Sequence, residues 1–446
     1  VKGALETAAG RPSDGAALET MAVAARARLS APSALEQLCL TFGLSNFERD
    51  LLLLAAAVDL DSDFLSLFAE LQDREQQASP TFGLALATLA EAHWRAVVPA
   101  APLRHWRLLD VGAGVSITTA PLRLDERILH FLLGATYIDE RLAGLVHHVA
   151  EAESLPPSHQ RLVTEIGDML MDSAEPTPAV ELTGSDSRTI RSIAAHVSRR
   201  WGLALYTLWS EDIPTAAHER QSLARLWMRE AILSGCVLMI DLGDRGPTDA
   251  AQAFMESLTG PLLLAGRQPT VWSIQRPVIR MAVDKPAVEE QITTWDRVLD
   301  GHGIAVNGFV PALATQFSLP ESAIEAACTA ALSGHRTGQN DLGPLLWNAC
   351  RLQSRTRLDD VAQRVLSPAE WEDLVLPDRQ METLYEIVAH VRQRHTVYER
   401  WGFAERSARG LGVTVAFAGA SGTGKTLAAE IMANELNLDL YRIDLS

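Results

Sequence analysis

The residues with the clearest chemical capacity stand at Gly419-Ala-Ser-Gly422-Thr-Gly424-Lys425-Thr426, a match to the phosphate-loop pattern GxxxxGK[ST]. Each residue type has a task there. Gly419, Gly422 and Gly424 allow a tight turn and let backbone N–H groups approach phosphate oxygens without an intervening Cβ. Lys425 is spaced to reach the β- and γ-phosphates of a nucleoside triphosphate, and the Thr426 hydroxyl to ligate Mg²⁺. The expected binding set is Gly419, Ala420, Ser421, Gly422, Thr423, Gly424, Lys425, Thr426 and Leu427, with Thr426 as the metal ligand.

Such a loop works only between a strand and a helix, whose N-terminal N–H groups face the anion. Val413 to Phe417 reads as a buried strand, apolar except for Thr414. Behind Thr426, the apolar Leu427, Ile431 and Leu436 with the small Ala428 and Ala429 fit an amphipathic helix. Asn437 can end it, and Leu440 to Ile443 reads as the next strand.

The same outline occurs earlier in the chain. Val180-Glu-Leu-Thr-Gly184 resembles Val415-Ala-Phe-Ala-Gly419, and Leu205-Tyr206 resembles Leu440-Tyr441 at the same offset. An ungapped match across strand, loop, helix and strand argues for an internal repeat. In that register Ser187, Thr189, Ile190 and Arg191 replace Gly422, Gly424, Lys425 and Thr426. An apolar Ile190 cannot neutralise phosphate. Arg188 and Arg191 could still touch one, but a scaffold without nucleotide is the stronger reading. Cys236 to Asp241 is an apolar strand ending in an acid, the form of a Walker B strand. Leu242 follows where a hydrolytic site carries an acid, so Asp241 is either a Mg²⁺ ligand or a relic at a strand end.

A length of 446 residues implies two to four domains. Hydrophobic content of 47% and charged content of 21% describe a globular chain, and the net charge of −17 argues against a general polyanion-binding surface. Cys39, Cys236, Cys328 and Cys350 show no metal-ligand spacing and read as buried thiols of a reducing cytoplasm. No apolar run reaches a membrane span, and no signal peptide opens the chain. The first residue is Val and the last, Ser446, directly follows a strand, so a fragment of a longer protein is expected.

Residues 1–30 read as a flexible segment with few apolar anchors. Residues 31–150 read as a winged-helix-like domain. Helices begin at Ser33 and at Ser45, the latter with Glu48 in a capping box; Asp63 to Leu71 and Thr81 to Leu89 follow. Trp106 to Val111 and Val115 to Thr119 read as two strands across a Gly-rich turn. The helix before this hairpin has no Lys or Arg, and only Arg104, Arg107 and Arg123 lie near it, so DNA binding is the weaker reading beside protein docking or support. His147, His148 and His159 read as a surface turn rather than a metal site.

Residues 151–178 read as a linker and 179–285 as the degenerate α/β repeat. There the helix Pro214 to Ser234 sets Leu223, Leu226, Trp227 and Ile232 on its apolar side. Residues 286–367 read as a helical lid, and 368–446 as the beginning of the intact repeat. A long helix there places Leu384, Val388, Val391, His395 and Tyr398 on one face. The fold class is α/β with α-rich parts.

Together these segments resemble the AAA+ ATPases. More narrowly, the chain is similar to tandem-module ATPases with an N-terminal winged-helix-like domain, often encoded beside phage-tail-like contractile injection systems in bacteria. The resemblance rests on Phe42-Gly-Leu-Ser, Phe47 to Leu54, Thr81 to Leu86, Ala92-His-Trp94, Trp371-Glu-Asp-Leu-Val-Leu-Pro377 and Phe417 to Thr426. It implies ATP with Mg²⁺ as ligands, a hexameric ring, a protein substrate or assembly partner, and hydrolysis used to remodel protein. The alternative it leaves open is an ATP-regulated assembly or DNA-associated switch. It also implies that Leu374 to Leu376 border the adenine. The order 5-1-4-3-2 of the family's strands puts two strands between the first and second. Residues 412–446 are therefore expected to be poorly packed or non-natively paired in this chain.

Overall fold

The computed structural model describes residues 1–12, 15–29, 31–72, 79–150, 154–171, 177–301, 308–336, 342–355, 362–394, 396–397, 401 and 412–443. Two compact units emerge, Val1–Ala152 with Val163–Ala282, and Glu153–Leu162 with Val283–Ser446.

The first unit begins with a winged helix. Ser33 and Ser45 each close a capping box with Glu36 and Glu48, and helices Ala34–Phe42 and Asn46–Leu60 start there. Gly43 ends the first of them in the left-handed conformation. With helices Asp63–Leu71 and Phe82–Thr88 they enclose a core built on Leu38, Phe47, Leu51, Leu54, Phe68 and Phe82. The amino-terminal segment is anchored at its start, against expectation: helix Lys2–Ala8 buries Leu5 completely in that core, and Arg11 pairs with Glu70.

The wing is longer than the sequence indicates. Strands β1 (Leu109–Val111) and β2 (Leu122–Leu124) pair antiparallel, while Val115 to Thr119 forms no strand. Ser116 and Thr119 explain this. The Ser116 N–H donates to the Thr119 hydroxyl at 3.2 Å and the Thr119 N–H to the Ser116 carbonyl at 3.1 Å, a local turn that competes with extended pairing. Val115 is left fully exposed at the tip.

A six-stranded sheet completes the unit. Strands β3 (Val146–His148), β4 (Ala179–Thr183), β5 (Ala204–Trp209), β6 (Cys236–Asp241), β7 (Leu262–Gly266) and β8 (Val278–Ala282) lie in the order β3-β5-β6-β7-β4-β8. All neighbours are parallel except β3, which joins β5 antiparallel as the edge. Numbered from β4 to β8, the five parallel strands run 5-1-4-3-2. His147 and His148 therefore sit on an exposed edge strand, not on a turn. His159 belongs to the second unit, where it is buried against the Asp284 carbonyl. The stretch 151–178 is not linker throughout, since Pro157–Met171 is a helix.

Helix Ala217–Ser234 joins the winged helix to the sheet, and its buried residues differ from those its periodicity indicates. Ile232, expected on the apolar side, is 45% exposed, whereas Arg229 and Glu230 are wholly buried. Arg127, itself 2% exposed, donates from Nε and Nη2 to Glu230, with Nη2 to Oε1 at 2.9 Å. Arg229 pairs with Asp139 and, at 3.3 Å, with Asp125, and donates to the Arg107 carbonyl at 2.6 Å. Arg141 reaches both Asp125 and Asp139 at 2.7 Å.

In the second unit, helices Val288–Asp300, Val310–Phe317, Glu321–Arg336 and Leu342–Ser354 pack around Trp295, Leu313, Cys328 and Cys350. Burial pushes the thiols of Cys236, Cys328 and Cys350 up to about 12, while Cys39 is half-buried. Among the described residues, no helix is long and apolar enough to cross a membrane. Strand β9 (Gln363–Val365), absent from the sequence reading, pairs antiparallel with β10 (Leu440–Arg442). Val413 to Ala418 form no strand, and Val413 and Phe417 are 44% and 37% exposed. The buried strand expected there is thus not formed, because a strand needs hydrogen-bonding neighbours as well as apolar residues. His395 and Tyr398 lie outside the described residues; Leu384 and Val388 of helix Asp378–Arg392 are buried.

Removing one member of a buried ion pair leaves the other charge unpaired and costs about 3–5 kcal/mol, whereas an apolar replacement of both is tolerated far better. Arg127→Ala and Glu230→Ala should each lower the denaturant midpoint of unfolding sharply, and Arg127→Met with Glu230→Leu should recover most of the loss. Burial raises the Asp139 carboxyl, but hydrogen bonds from Arg141 and the Arg229 charge outweigh it, so the net position is below the ordinary carboxylate range. Its stabilising contribution is present above the unfolded-state value and is lost as pH falls through the lowered folded-state value. Asp139→Asn should therefore flatten the acid limb of a stability-versus-pH curve.

Candidate functional site

The loop from Gly419 to Thr426 is built by short-range geometry. Gly419, Gly422 and Gly424 have φ of 153°, 82° and 82°. At Gly424 the left-handed backbone and a neighbour both matter, since a Cβ there would lie 3.6 Å from Leu374 Cδ1. At Gly419 a Cβ would stand 3.0 Å from the Thr423 hydroxyl, which donates to the Ala420 carbonyl at 2.9 Å. Helix Lys425–Glu435 starts at once, with Gly424 as its N-cap and no side-chain cap on its first N–H groups. That end of a helix carries partial positive charge and open donors.

Lys425 folds back over the loop. Its ammonium donates to the Gly419 carbonyl at 2.9 Å and the Ala420 carbonyl at 2.6 Å. Both partners are neutral oxygens. Ser421, Gly422, Thr423 and Thr426 are exposed around it, and Leu427 packs partly buried behind the helix start. The loop residues singled out in the sequence are therefore brought together at one surface.

Sequence reasoning did not identify what holds this helix in place. Leu374, Leu384, Ala428 and Ile431 form a small core under the loop. Around it the Trp371 ring lies 4.4 Å from that of Tyr385 and donates through Nε1 to Glu435 at 3.1 Å. Asn434 donates to the Ser367 and Ala369 carbonyls at 2.9 and 3.0 Å, and Arg392 pairs with Glu435. Of the segment expected beside the base, Leu374 is buried against Gly424, Leu376 is partly buried, and Val375 is 92% exposed. The one signal for this clamp was Trp371, an aromatic residue in a polar stretch.

The matching segment of the first unit is arranged differently. Helix Ser187–Arg200 is capped by Asp186, whose carboxylate accepts from the N–H groups of Arg188 at 3.3 Å and Thr189 at 3.1 Å. Ile190 is 2% exposed and belongs to the core. Asp241, at the end of β6, accepts from the Gly243 N–H at 3.0 Å and faces Arg191 Nη1 at 3.5 Å. Gly184, Ile190, Trp209, Asp241 and Arg267 line a cavity of about 160 Å³. Asp186 was missed in the sequence, although an Asx residue just before a helix is the ordinary N-cap signal that could have found it.

Two family models match separate parts of the chain: a variant winged helix domain over residues 7–146, and the helical domain of contractile injection system ATPases over residues 287–356. No curated protein matches in sequence. Among solved structures, the FIGL-1 AAA domain in complex with ADP is 14% identical, with 49% of this chain and 91% of that chain covered at a TM-score of 0.35. A winged helix in front, a 5-1-4-3-2 parallel sheet after it and a helical domain like that of contractile injection system ATPases behind fit the build of an AAA+ ATPase with an N-terminal winged helix.

Proposed function

We propose that this protein binds ATP with Mg²⁺ at Gly419 to Leu427 and belongs to an ATP-hydrolysing machine that remodels protein, with a nucleotide-free first module, residues 179–285, and the working site in a second, which begins at residue 368. The observation that carries this reading is the uncapped N-terminus of helix Lys425–Glu435, with the Lys425 ammonium resting on the loop's own neutral carbonyls. Open N–H donors and a cation whose partners among the described residues are neutral carbonyls suit an anionic phosphate chain. Bound ATP would supply the phosphoryl group to be transferred. The loop N–H groups would orient that chain, Lys425 would move from carbonyl to phosphate oxygens, and the exposed Thr426 hydroxyl would hold the metal. Leu374 closes the apolar side of the loop. Work on protein by a homo-oligomeric ring in the bacterial cytoplasm completes the proposal.

DNA docking through the winged helix draws less support. Arg104 donates to the Val97 carbonyl at 2.7 Å and Arg107 to the Ser222 hydroxyl, so two of the three arginines near the wing serve the protein itself.

Lys425→Ala should weaken binding of a fluorescent ATP analogue about 10- to 100-fold, the loss of one charge-assisted contact worth about 1.5–3 kcal/mol. Undiminished binding would remove Lys425 from the site. ATP turnover abolished by the same change supports a motor; binding with no turnover favours an ATP-regulated switch. A Cβ in the left-handed region costs about 1–2 kcal/mol. Gly424→Ala should accordingly lower the melting midpoint in the absence of nucleotide, and an unchanged midpoint would contradict the loop geometry.

A further inference from the structure

The first unit carries charged side chains at positions that match the loop at Gly419. In the register that aligns Gly184 with Gly419, Asp186 stands at Ser421 and Arg191 at Thr426. The Asp186 carboxylate occupies the N-terminus of helix Ser187–Arg200, bound by two backbone N–H groups and by the Thr189 hydroxyl. A helix N-terminus favours an anion. The equivalent end of helix Lys425–Glu435 has no side-chain cap among the described residues. Asp241 is 6% exposed, and a buried carboxylate is tolerated only beside a cation. The cation present is Arg191, standing where the other loop has the hydroxyl of Thr426.

The surroundings agree. Ile190, in place of Lys425, points no ammonium at the cavity and is buried. Asp244, the second acid lining the cavity, holds Arg267 at 2.6 Å. The cavity of about 160 Å³ is smaller than the roughly 300 Å³ at which small-molecule pockets begin.

We propose that this site is filled from within. The Asp186 carboxylate stands for the phosphate anion, and the Arg191 guanidinium for the cation on Asp241. The α/β subdomain therefore keeps its form with no nucleotide, and Asp186 repels any phosphate that approaches. The inference depends on the register between the two loops, and it holds whether or not Gly419 to Leu427 binds ATP.

The test uses the whole chain carrying Lys425→Ala, which removes the lysine of the other loop. Added Arg191→Ala should lower the melting midpoint, and millimolar MgCl₂ should restore at least half of the loss by supplying a cation to Asp241. Arg191→Lys, which keeps a cation there, should stay near the parent. Added Asp186→Ala should lower the midpoint and inorganic phosphate should restore it, with the parent's own response to each salt subtracted. Asp186→Asn, which still caps the helix, should stay near the parent. The proposal is overturned if Arg191→Ala and Asp186→Ala melt with the parent, or if neither salt recovers their losses. It is equally overturned if the Lys425→Ala chain binds a fluorescent ATP analogue in a way that Arg191→Ala abolishes.

Discussion

The fold of the first unit depends on a set of charges taken out of water. Arg127 with Glu230, and Arg229 with Asp125 and Asp139, lie where the winged helix meets helix Ala217–Ser234. Such groups contribute little net stability compared with an apolar contact of the same volume, but they tolerate few alternative arrangements. An apolar seam could slide; a guanidinium held by two carboxylates and a backbone carbonyl cannot, without stranding a buried charge. The same helix places Leu233 against the winged-helix core, and β3, the strand that leaves this region, is hydrogen-bonded to β5 as the sheet's edge. The winged helix and the sheet are therefore one body, joined by ions, an apolar contact and a strand.

This seam was illegible in the sequence for a physical reason. Periodicity assigns Arg and Glu to solvent because burying them alone is prohibitive, and their partners, Arg127 and Asp139, are distant in the chain. The reading of helix Ala217–Ser234 failed at the positions where tertiary pairing overrides that rule, with Ile232 outside and Arg229 and Glu230 inside. Glu181 is the same case in β4. It is fully buried in a largely apolar strand and is satisfied by the Thr270 N–H, the Trp272 indole and Arg280. By contrast, the Ser45 capping box and the loop at Gly419 were legible, because every group that makes them lies within a few residues.

The two loops satisfy a similar local frame in different ways. Both follow a strand-like segment and open a helix, yet only the first closes its helix end with a side chain. The difference lies in a few positions: Asp186 for Ser421, Ile190 for Lys425, Arg191 for Thr426. One set leaves donors open and an ammonium on neutral oxygens; the other satisfies the donors and pairs the charges internally. Asp241 is buried and stands 3.5 Å from Arg191, whose guanidinium gives that carboxylate a cation.

The strands flanking the loops separate local from non-local information in the same way. In the first unit β4 is bonded on both sides, by β7 and β8, and both partners come later in the chain. Val413 to Phe417 is also largely apolar, but among the described residues it has no strand beside it and leaves Val413 and Phe417 exposed. Leu440 to Arg442 meets Gln363 to Val365 in an antiparallel pair, whereas its counterpart β5 lies parallel to β6. Composition makes a segment able to be a strand; membership in a parallel sheet is conferred by neighbours delivered through crossovers. The helix behind the loop does not wait for those neighbours. Leu374, Trp371 and Asn434 tie it to the segment before the strand, so the geometry around Lys425 is held by contacts that are independent of the sheet.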